Sequence, residues 1–519
     1  MKWLFAANKA TRCLLNSQQH RFHGYSKGCS HSQKSSMWSK SLLYGHQYST
    51  LTTVNGIEPS YRSVKNGNEK NNKKSVGLDI IEREIIEPAS PTSHHLRTYN
   101  LSVIDQVFYD CYTPLVLFLP NNKMSSVTDV VKHLKETLSQ ILTRFYPLAG
   151  EVKDNFHIEC NDKGVNFMVA RVNQNLKEFL QDPNDEKVRE LFPESPTSAE
   201  SSIGNYLIGV QVNIFNCGGI GLSTSISHKI FDGHTYFLFM KAWAAAARGT
   251  PHPISPSFVA SEVFPNKHPL DFLVPSKLMN TELVSTKRFV FDPMAMASLV
   301  GACTSSFTSI RAPTRMEATT ALIWRAAAKA ARTIRLCTPE TPHSLFSFVN
   351  IRKRASPPLP YESIGNLVDI ACGVSYPESQ PDLPTLATET RESIAKVNSD
   401  HIESCKGEKG RDGINNLLKK LVDLTDVSGN ENHCLFVTSL LNSGIYELDF
   451  GWGKPIWFYD MNAGFSRIVA LNDTLKGRGV EAAVTLKSDE MEIFERDPEL
   501  LSYASVNPSP LRFLDDSTT

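Results

Sequence analysis

Residues 207–233 read LIGVQVNIFNCGGIGLSTSISHKIFDG, and this stretch decides the fold. Leu207 to Phe215 alternates Val210, Val212 and Ile214 against Gln211 and Asn213. Ile220 to Ser227 alternates again, with Ile220, Leu222, Thr224 and Ile226 on one side. Asn216 to Gly219 between them are turn-forming residues. The pattern predicts a hairpin whose second strand ends at His228, followed by a helix over Thr235 to Ala247. His228 and Asp232 then sit at a strand end beside Gly233. A side chain placed there can face a cleft while the strand holds it rigid. Spacing alone does not distinguish a structural histidine from a catalytic one, because 15 histidines make about one chance H-x-x-x-D match expected.

Outward from this hairpin, Val130 to Arg144 carries Val131, Leu134, Leu138, Ile141 and Leu142 at helical spacing and stops at Pro147 and Gly150. Pro251 to Pro275 holds six prolines and little periodicity, which suits a crossover between domains. Thr314 to Arg332 is the clearest helix, because Thr314-x-x-Glu317 forms a capping box before an Ala-rich run. Lys406 to Gly413 reads as a polar loop. Arg467 to Leu471 and Val480 to Leu486 read as paired strands, with a short helix capped by Ser488. The mixture predicts an α/β or mixed α+β fold with two comparable lobes.

The chain has 519 residues, with 54 Lys+Arg against 54 Asp+Glu. A nucleic-acid binder would show a basic excess or a concentrated basic face, and the body shows neither. No apolar run approaches the roughly 18–20 residues of a membrane helix. The ten cysteines are scattered, without C-x-x-C or paired Cys/His spacing, so they read as reduced, mostly buried thiols rather than a disulfide framework or a metal site.

The first stretch differs from the rest. Met1 to Ile57 contains no Asp or Glu, where about six would be expected. Trp3, Ala7, Ala10 and Leu14 share one helical face, and Lys2, Lys9 and Arg12 fall opposite. A basic, amphipathic, Ser-rich and acid-free N-terminus fits an organelle transit peptide, with the mitochondrion favoured and the plastid or cytosol as alternatives. Val64 to Ser75 reads as linker. The expected organisation is 1–75 leader and linker, 76–250 first lobe, 251–275 crossover and 276–519 second lobe.

Two motif matches carry no weight. Gly24-Tyr25-Ser26-Lys27-Gly28 copies a nucleophile elbow but lies in the leader. Gly477-x-Gly479-x-x-Ala482 copies a dinucleotide loop but bridges two strands. Asp449-Phe450-Gly451-Trp452-Gly453 is different, because two glycines around a tryptophan indicate a backbone path with special dihedrals.

His228 to Gly233, followed about 220 residues later by Asp449 to Gly453, resembles the HxxxDG and DFGWG motifs of the BAHD superfamily of plant acyl-CoA-dependent acyltransferases. Further segments carry the same resemblance. Leu101 to Gln106 looks like its LSxxDQ segment, and Phe145 to Gly150 like its YYPLAG turn. Asn350-Ile351-Arg352 and Gly365-Asn366 look like its N-x-R and GN segments. Val210 to Gly249 looks most like the alkaloid-esterifying branch that contains vinorine synthase. The resemblance runs from about Ile80 to the C-terminus.

The resemblance implies two chloramphenicol-acetyltransferase-like lobes around a through-channel, with no metal and no permanently bound cofactor. Acyl-CoA is the implied co-substrate, a small alcohol the acceptor, and the chain is expected to be a monomer. It implies His228 as general base, with Asp232 turned away and paired to Arg352. Gly233, Asp449, Gly451, Trp452 and Gly453 are implied to be structural, and Thr438 and Asn366 are candidates for an oxyanion or channel role. Leu440 departs from the family's usual tryptophan and Glu151 from its usual arginine. An imported chain would meet mitochondrial donors such as tigloyl-CoA, which with the alkaloid branch points to a tropane-type ester. The competing readings are a dihydrolipoyl- or carnitine-type CoA acyltransferase and a non-catalytic binding protein that keeps the fold.

Overall fold

The computed structural model describes residues 76–514, apart from 109–110, 122–125, 194–204, 251–253, 273–277, 279–282, 305–310, 335–340, 377–380, 427–433 and 462–463. The expected leader and linker, and the elbow-like match at Gly24, lie outside the described residues. Two mixed sheets dominate. The first contains β1 (Leu78–Ile86), β2 (Tyr112–Leu119), β3 (Val165–Val172), β4 (Ile208–Phe215) and β5 (Ile220–Ser227). The second contains β6 (Val284–Phe291), β7 (His343–Asn350), β8 (Val368–Ser375) and β9 (Cys434–Ser439).

A short strand, β10 (Trp457–Asp460), comes from the C-terminal half yet completes the first sheet. The second sheet is finished by β11 (Ile468–Asp473), β12 (Val480–Lys487) and β13 (Ser505–Val506). The first sheet runs β1-β3-β4-β5-β2-β10 and the second β8-β7-β9-β11-β12-β6-β13.

The predicted hairpin is present, with Ile208 opposite Ile226 and Ile214 opposite Ile220. Its polar face is covered too. Gln211 and Asn213 are buried, and the Asn213 amide donates to the Leu191 and Gly221 carbonyls and to Ser223 Oγ. Central strands of both sheets are in fact clothed on both faces, although edge strand β1 is largely exposed. In β2, Leu115, Leu117 and Leu119 enter one core while Val116 and Phe118 enter another. In β9, Leu435 and Val437 face one core and Cys434 and Phe436 the opposite one. Strands buried on both faces read as continuous apolar runs, which is why their period is weak in sequence.

Helix α1 (Val127–Leu142) buries Val130, Val131, Leu134, Leu138 and Ile141 on the first sheet. Helix α2 (Gly233–Ala247) follows the hairpin directly and is buried along most of its length. Helix α3 (Arg315–Ile334) opens with both arms of the capping box: the Thr314 amide donates to Glu317 Oε2 at 2.7 Å and the Glu317 amide to Thr314 Oγ1 at 3.2 Å. Of the expected crossover, residues 254–272 are described and include one helical turn, Ala260–Val263, and fully buried Phe264.

Two local expectations are corrected. The stretch read as a loop, Lys406 to Gly413, is a turn only as far as Lys409; helix α4 (Gly410–Asp426) begins at Gly410 and takes Arg411 and Asp412 into its first turn. Ser488 does not cap its helix, because its hydroxyl donates to the Leu283 carbonyl instead. The glycines of the dinucleotide-like match form the β11–β12 turn, and Arg315 Nη1 donates to the carbonyls of Gly477 and Gly479. Of the seven cysteines described, five are buried, and none of the seven is in a disulfide.

Trp457 links the two halves of the chain. It is 2% exposed, stacks on Phe118 at 5.1 Å and lies under the Arg288 guanidinium at 4.8 Å. Trp457→Ala should therefore cost about 3–5 kcal/mol. We expect a clearly lower urea midpoint by circular dichroism, and an unchanged midpoint would contradict β10's role as the staple between the halves.

Candidate active site

His228 follows the last residue of β5, and its amide donates to the Cys111 carbonyl at 2.8 Å, which extends the β2–β5 pairing by one step. The ring stacks on Phe108, with centroids 4.6 Å apart and planes 13° from parallel. Nδ1 is sealed from solvent and has no hydrogen-bond partner among the described residues. The ring borders a cavity of about 130 Å³ between the sheets. Thr113, Leu115 and Ile226 close it from the first sheet, and Thr438, Ala470 and Thr485 from the second. Burial pushes the His228 pKa down, while the residue's own backbone carbonyl, the adjacent Asp232 charge and the Asn366 amide pull the other way without overcoming it. The imidazole is therefore neutral near pH 7.

Asp232 points away from that cavity's base and into protein. It is the N-cap of α2, accepting from the Thr235 amide at 2.8 Å. Arg352 reaches it with two parallel bonds, Nη1 to Oδ2 at 2.6 Å and Nη2 to Oδ1 at 3.1 Å. The Leu367 amide donates to Oδ2 at 3.1 Å. Arg352 further donates to the carbonyls of Ser363 and Gly365 and to Thr235 Oγ1. Burial alone would raise the Asp232 carboxyl, but the Arg352 charge and these hydrogen bonds outweigh it and hold the carboxyl below its ordinary value.

A second network lies behind the histidine. Asp105 is fully buried and accepts from the Ser102 amide and hydroxyl, both at 2.7 Å, and from the Asn366 amide and Nδ2, both at 2.9 Å. Asn366 Nδ2 also donates to the His228 carbonyl at 2.7 Å. Both side-chain hydrogens of Asn366 are thus spent, and its backbone N–H as well. This corrects the expected oxyanion role for Asn366: it holds the histidine's backbone and has no donor left for substrate. Thr438, the other candidate, does line the cavity.

Gly233 and Leu440 stand where that cavity adjoins a second one of about 570 Å³, whose wall includes His234, Lys241, Lys353 and Tyr361. A Cβ on Gly233 would come within 2.6 Å of Leu440 Cδ2, so the glycine makes room for Leu440. The Asp449 to Gly453 stretch touches neither cavity. Asp449 Oδ1 accepts from the amides of Gly451 at 2.8 Å and Gly453 at 3.3 Å. These glycines adopt φ of +108° and +139°, which a side chain would strain. Phe450 meets Trp243 of α2 edge-on at 5.5 Å, Trp452 stacks on Phe450, and Arg248 Nη1 donates to the Asp449 carbonyl. The motif therefore clamps the end of the helix that Asp232 begins.

Sequence reasoning did not find the Phe108 stack, the Asp105 carboxylate or a third cavity group, Asp460. Asp105 lies in a segment singled out by the sequence, but nothing in the spacing shows that its carboxylate meets Asn366, 261 residues away. Among the described residues one further cluster, Asp369, His401 and Cys405, gathers ligand-type atoms away from the cavity.

The model of the Transferase family matches residues 76–501. Epi-neemfruitin B synthase of Melia azedarach is 35% identical over 442 residues, covering 83% of this chain and 99% of that protein. Stemmadenine O-acetyltransferase of Catharanthus roseus is 30% identical, covering 81% and 96%. The crystal structure of vinorine synthase superposes with a TM-score of 0.71 at 30% identity, covering 82% of this chain and 98% of that one.

Removing one partner of the buried pair leaves the other charge without compensation, at a cost of about 3–5 kcal/mol. Asp232→Ala should therefore lower the thermal midpoint by several degrees or more and reduce soluble yield. Replacing the pair together, Asp232→Leu with Arg352→Met, should cost less than the sum of the singles. Additive losses in calorimetry would show that the pair does not act as a unit.

Proposed function

The chain belongs to the Transferase family of BAHD acyltransferases, and from that premise we propose that it moves an acyl group from acyl-CoA to a hydroxyl of a small specialised metabolite, with His228 as general base. The observation that carries the base assignment is the ring's placement: Nδ1 is shut away, which leaves Nε2 as the nitrogen able to meet a substrate in the bordering cavity.

The chemistry follows from the groups. A thioester is already activated, and an alcohol is a poor nucleophile because it keeps its proton at pH 7. Neutral Nε2 accepts that proton as the oxygen attacks the thioester carbonyl. The C–O bond forms, and the carbonyl oxygen becomes an oxyanion, for which Thr438 on the cavity wall is the proposed hydroxyl donor. When the intermediate collapses, the C–S bond breaks and the imidazolium returns the proton to the CoA sulfur. No covalent enzyme intermediate is needed.

Phe108 and the Asn366–carbonyl bond hold the ring still during both transfers. The curated relatives are plant enzymes, and the stemmadenine enzyme's name specifies O-acetylation. The O-acetyltransferase name favours acetyl as donor, and the resemblance to the alkaloid-esterifying branch favours an alkaloid alcohol as acceptor. Tigloyl is the donor that mitochondrial import would supply, and the acid-free stretch from Met1 to Ile57 supports such an address.

His228→Ala, assayed by thiol release with acetyl-, tigloyl- and benzoyl-CoA and pooled alcohols, should lose about 10²–10⁴-fold in rate while keeping its circular dichroism. Wild-type turnover would end the base assignment. Because burial lowers this pKa, the acid limb of kcat/KM should fall off below pH 6.5, as the imidazole becomes protonated and stops accepting. A limb displaced above 6.5 would contradict the neutral, buried ring. A fluorescent fusion of residues 1–75 should give an organellar signal, and diffuse cytosolic fluorescence would remove the case for a mitochondrial donor.

A further inference from the structure

Seven Asp and Glu side chains among the described residues are buried: Asp105, Asp232, Glu317, Asp369, Asp460, Glu481 and Glu490. A buried carboxylate is costly unless its charge is paired or well hydrogen-bonded. Six meet that condition. Asp232 has Arg352, Glu317 has Arg391, Glu481 has Arg288 and Glu490 has Arg467. Asp369 has His401, and Asp105 has its four N–H and O–H donors. Asp460 stands apart. No ion pair among the described residues includes it, and the side chain seen to hydrogen-bond it is Asn472, through Nδ2 at 2.9 Å.

Asp460 is also the one carboxylate of this set, besides Asp232, on the wall of the cavity that holds His228. It ends β10, opposite Leu115, so its side chain shares the cavity face with Thr113 and Leu115. Its surroundings make the local field negative. Glu481 and Asp185 both act on it unfavourably, although Glu481 is held by Arg288 and Asp185 takes the Tyr459 hydroxyl. Burial, with these charges, pushes its pKa up to about 6. Nearby, Tyr236 is 3% exposed and also lines the cavity; its hydroxyl lies near Thr224 but makes no hydrogen bond of good geometry. The remaining wall is largely apolar: Leu115, Ile226, Phe231, Leu440 and Ile468 among others. An apolar cavity with one under-partnered carboxylate suits an apolar molecule that carries one cation.

We propose that Asp460 is the subsite for a protonated amine, so that the acceptor is an alcohol bearing a basic nitrogen, held at Asp460 while its hydroxyl faces His228. This rests on the acyltransferase reading and assigns the residue that recognises the basic nitrogen of such an acceptor. The ammonium supplies the positive charge the fold withholds, and the Tyr236 hydroxyl adds a hydrogen-bond group beside it.

The test is equilibrium binding of quinuclidin-3-ol and of its all-carbon isostere, by titration calorimetry without any acyl donor. The proteins are wild type, Asp460→Asn and His228→Ala. Asp460→Asn keeps an oxygen for the Asn472 amide and removes only the charge. It should fold normally, with a thermal midpoint equal to or above wild type, because an unpaired buried carboxylate has been neutralised. Wild type should prefer the amine over the isostere by on the order of 30-fold or more, and Asp460→Asn should lose that preference. The preference should also fade as pH falls through about 6, because Asp460 then takes a proton while the amine stays charged.

Equal affinity of wild type for amine and isostere would overturn the proposal, as would an Asp460→Asn variant that keeps the preference. His228→Ala should keep it. If His228→Ala retains both amine binding and full turnover, the base assignment falls and the amine subsite stands.

Discussion

The ion pair between Asp232 and Arg352 is the constraint on which the site depends. Asp232 is at once the last residue of the loop after β5 that holds the histidine and the N-cap of α2. Arg352 lies two residues beyond the end of β7 in the other sheet. One bidentate contact therefore fixes a loop, a helix start and the approach of two sheets. It also sets the charge that His228 sees. An uncompensated carboxylate beside the ring would draw a proton onto the imidazole and spoil it as a base. With the guanidinium in place, burial prevails and the ring stays neutral. The Asn366–Asp105 network serves the same loop from behind, by gripping the His228 carbonyl.

The local elements were legible because their chemistry is local. The 207–227 hairpin alternates, Thr314-x-x-Glu317 caps, and α1 shows an apolar face; each signal lies within about 20 residues and owes nothing to distant contacts. The motifs supplied His228, Asp232 and Arg352 in the same way. The missing pieces have another origin. Asp105 meets Asn366 and Phe108 meets His228 through tertiary packing that no spacing encodes. The strand β10 is the clearest case. WFYD, read alone, belongs to its neighbours in sequence, yet it pairs with β2, more than 300 residues earlier. Asp460 arrives in the cavity by that crossing, so it was invisible for the same reason. Asn366 was misjudged because an amide's free donors can be counted only once its partners are known.

The DFGWG stretch illustrates how a strong sequence signal can be remote from the chemistry. Its glycines take dihedrals that side chains resist, its aspartate caps its own turn, and its aromatics grip the C-terminal end of α2. The N-terminal end of the same helix is held by Asp232. A helix fixed at both ends cannot slide, and the histidine loop it adjoins inherits that rigidity. The motif therefore acts on the reaction through a rigid body rather than through contact.

The distribution of buried charge separates what builds the site from what meets the substrate. Where a carboxylate serves the fold, the fold also supplies its counter-charge or a full set of donors, because the chain must tolerate it in every molecule at every moment. Asp232, Glu317, Glu481 and Glu490 obey this rule with an arginine each. A carboxylate meant for a ligand cannot have its partner built in, since that partner would occupy the place of the ligand. It must instead be carried at some cost in the empty protein and relieved on binding. Asp460, at the end of a strand that the chain makes a long excursion to deliver, has the energetic signature of the second kind, and it lines the same cavity that the His228 ring borders. That contrast, rather than proximity to a motif, is the physical reason to read Asp460 as facing substrate.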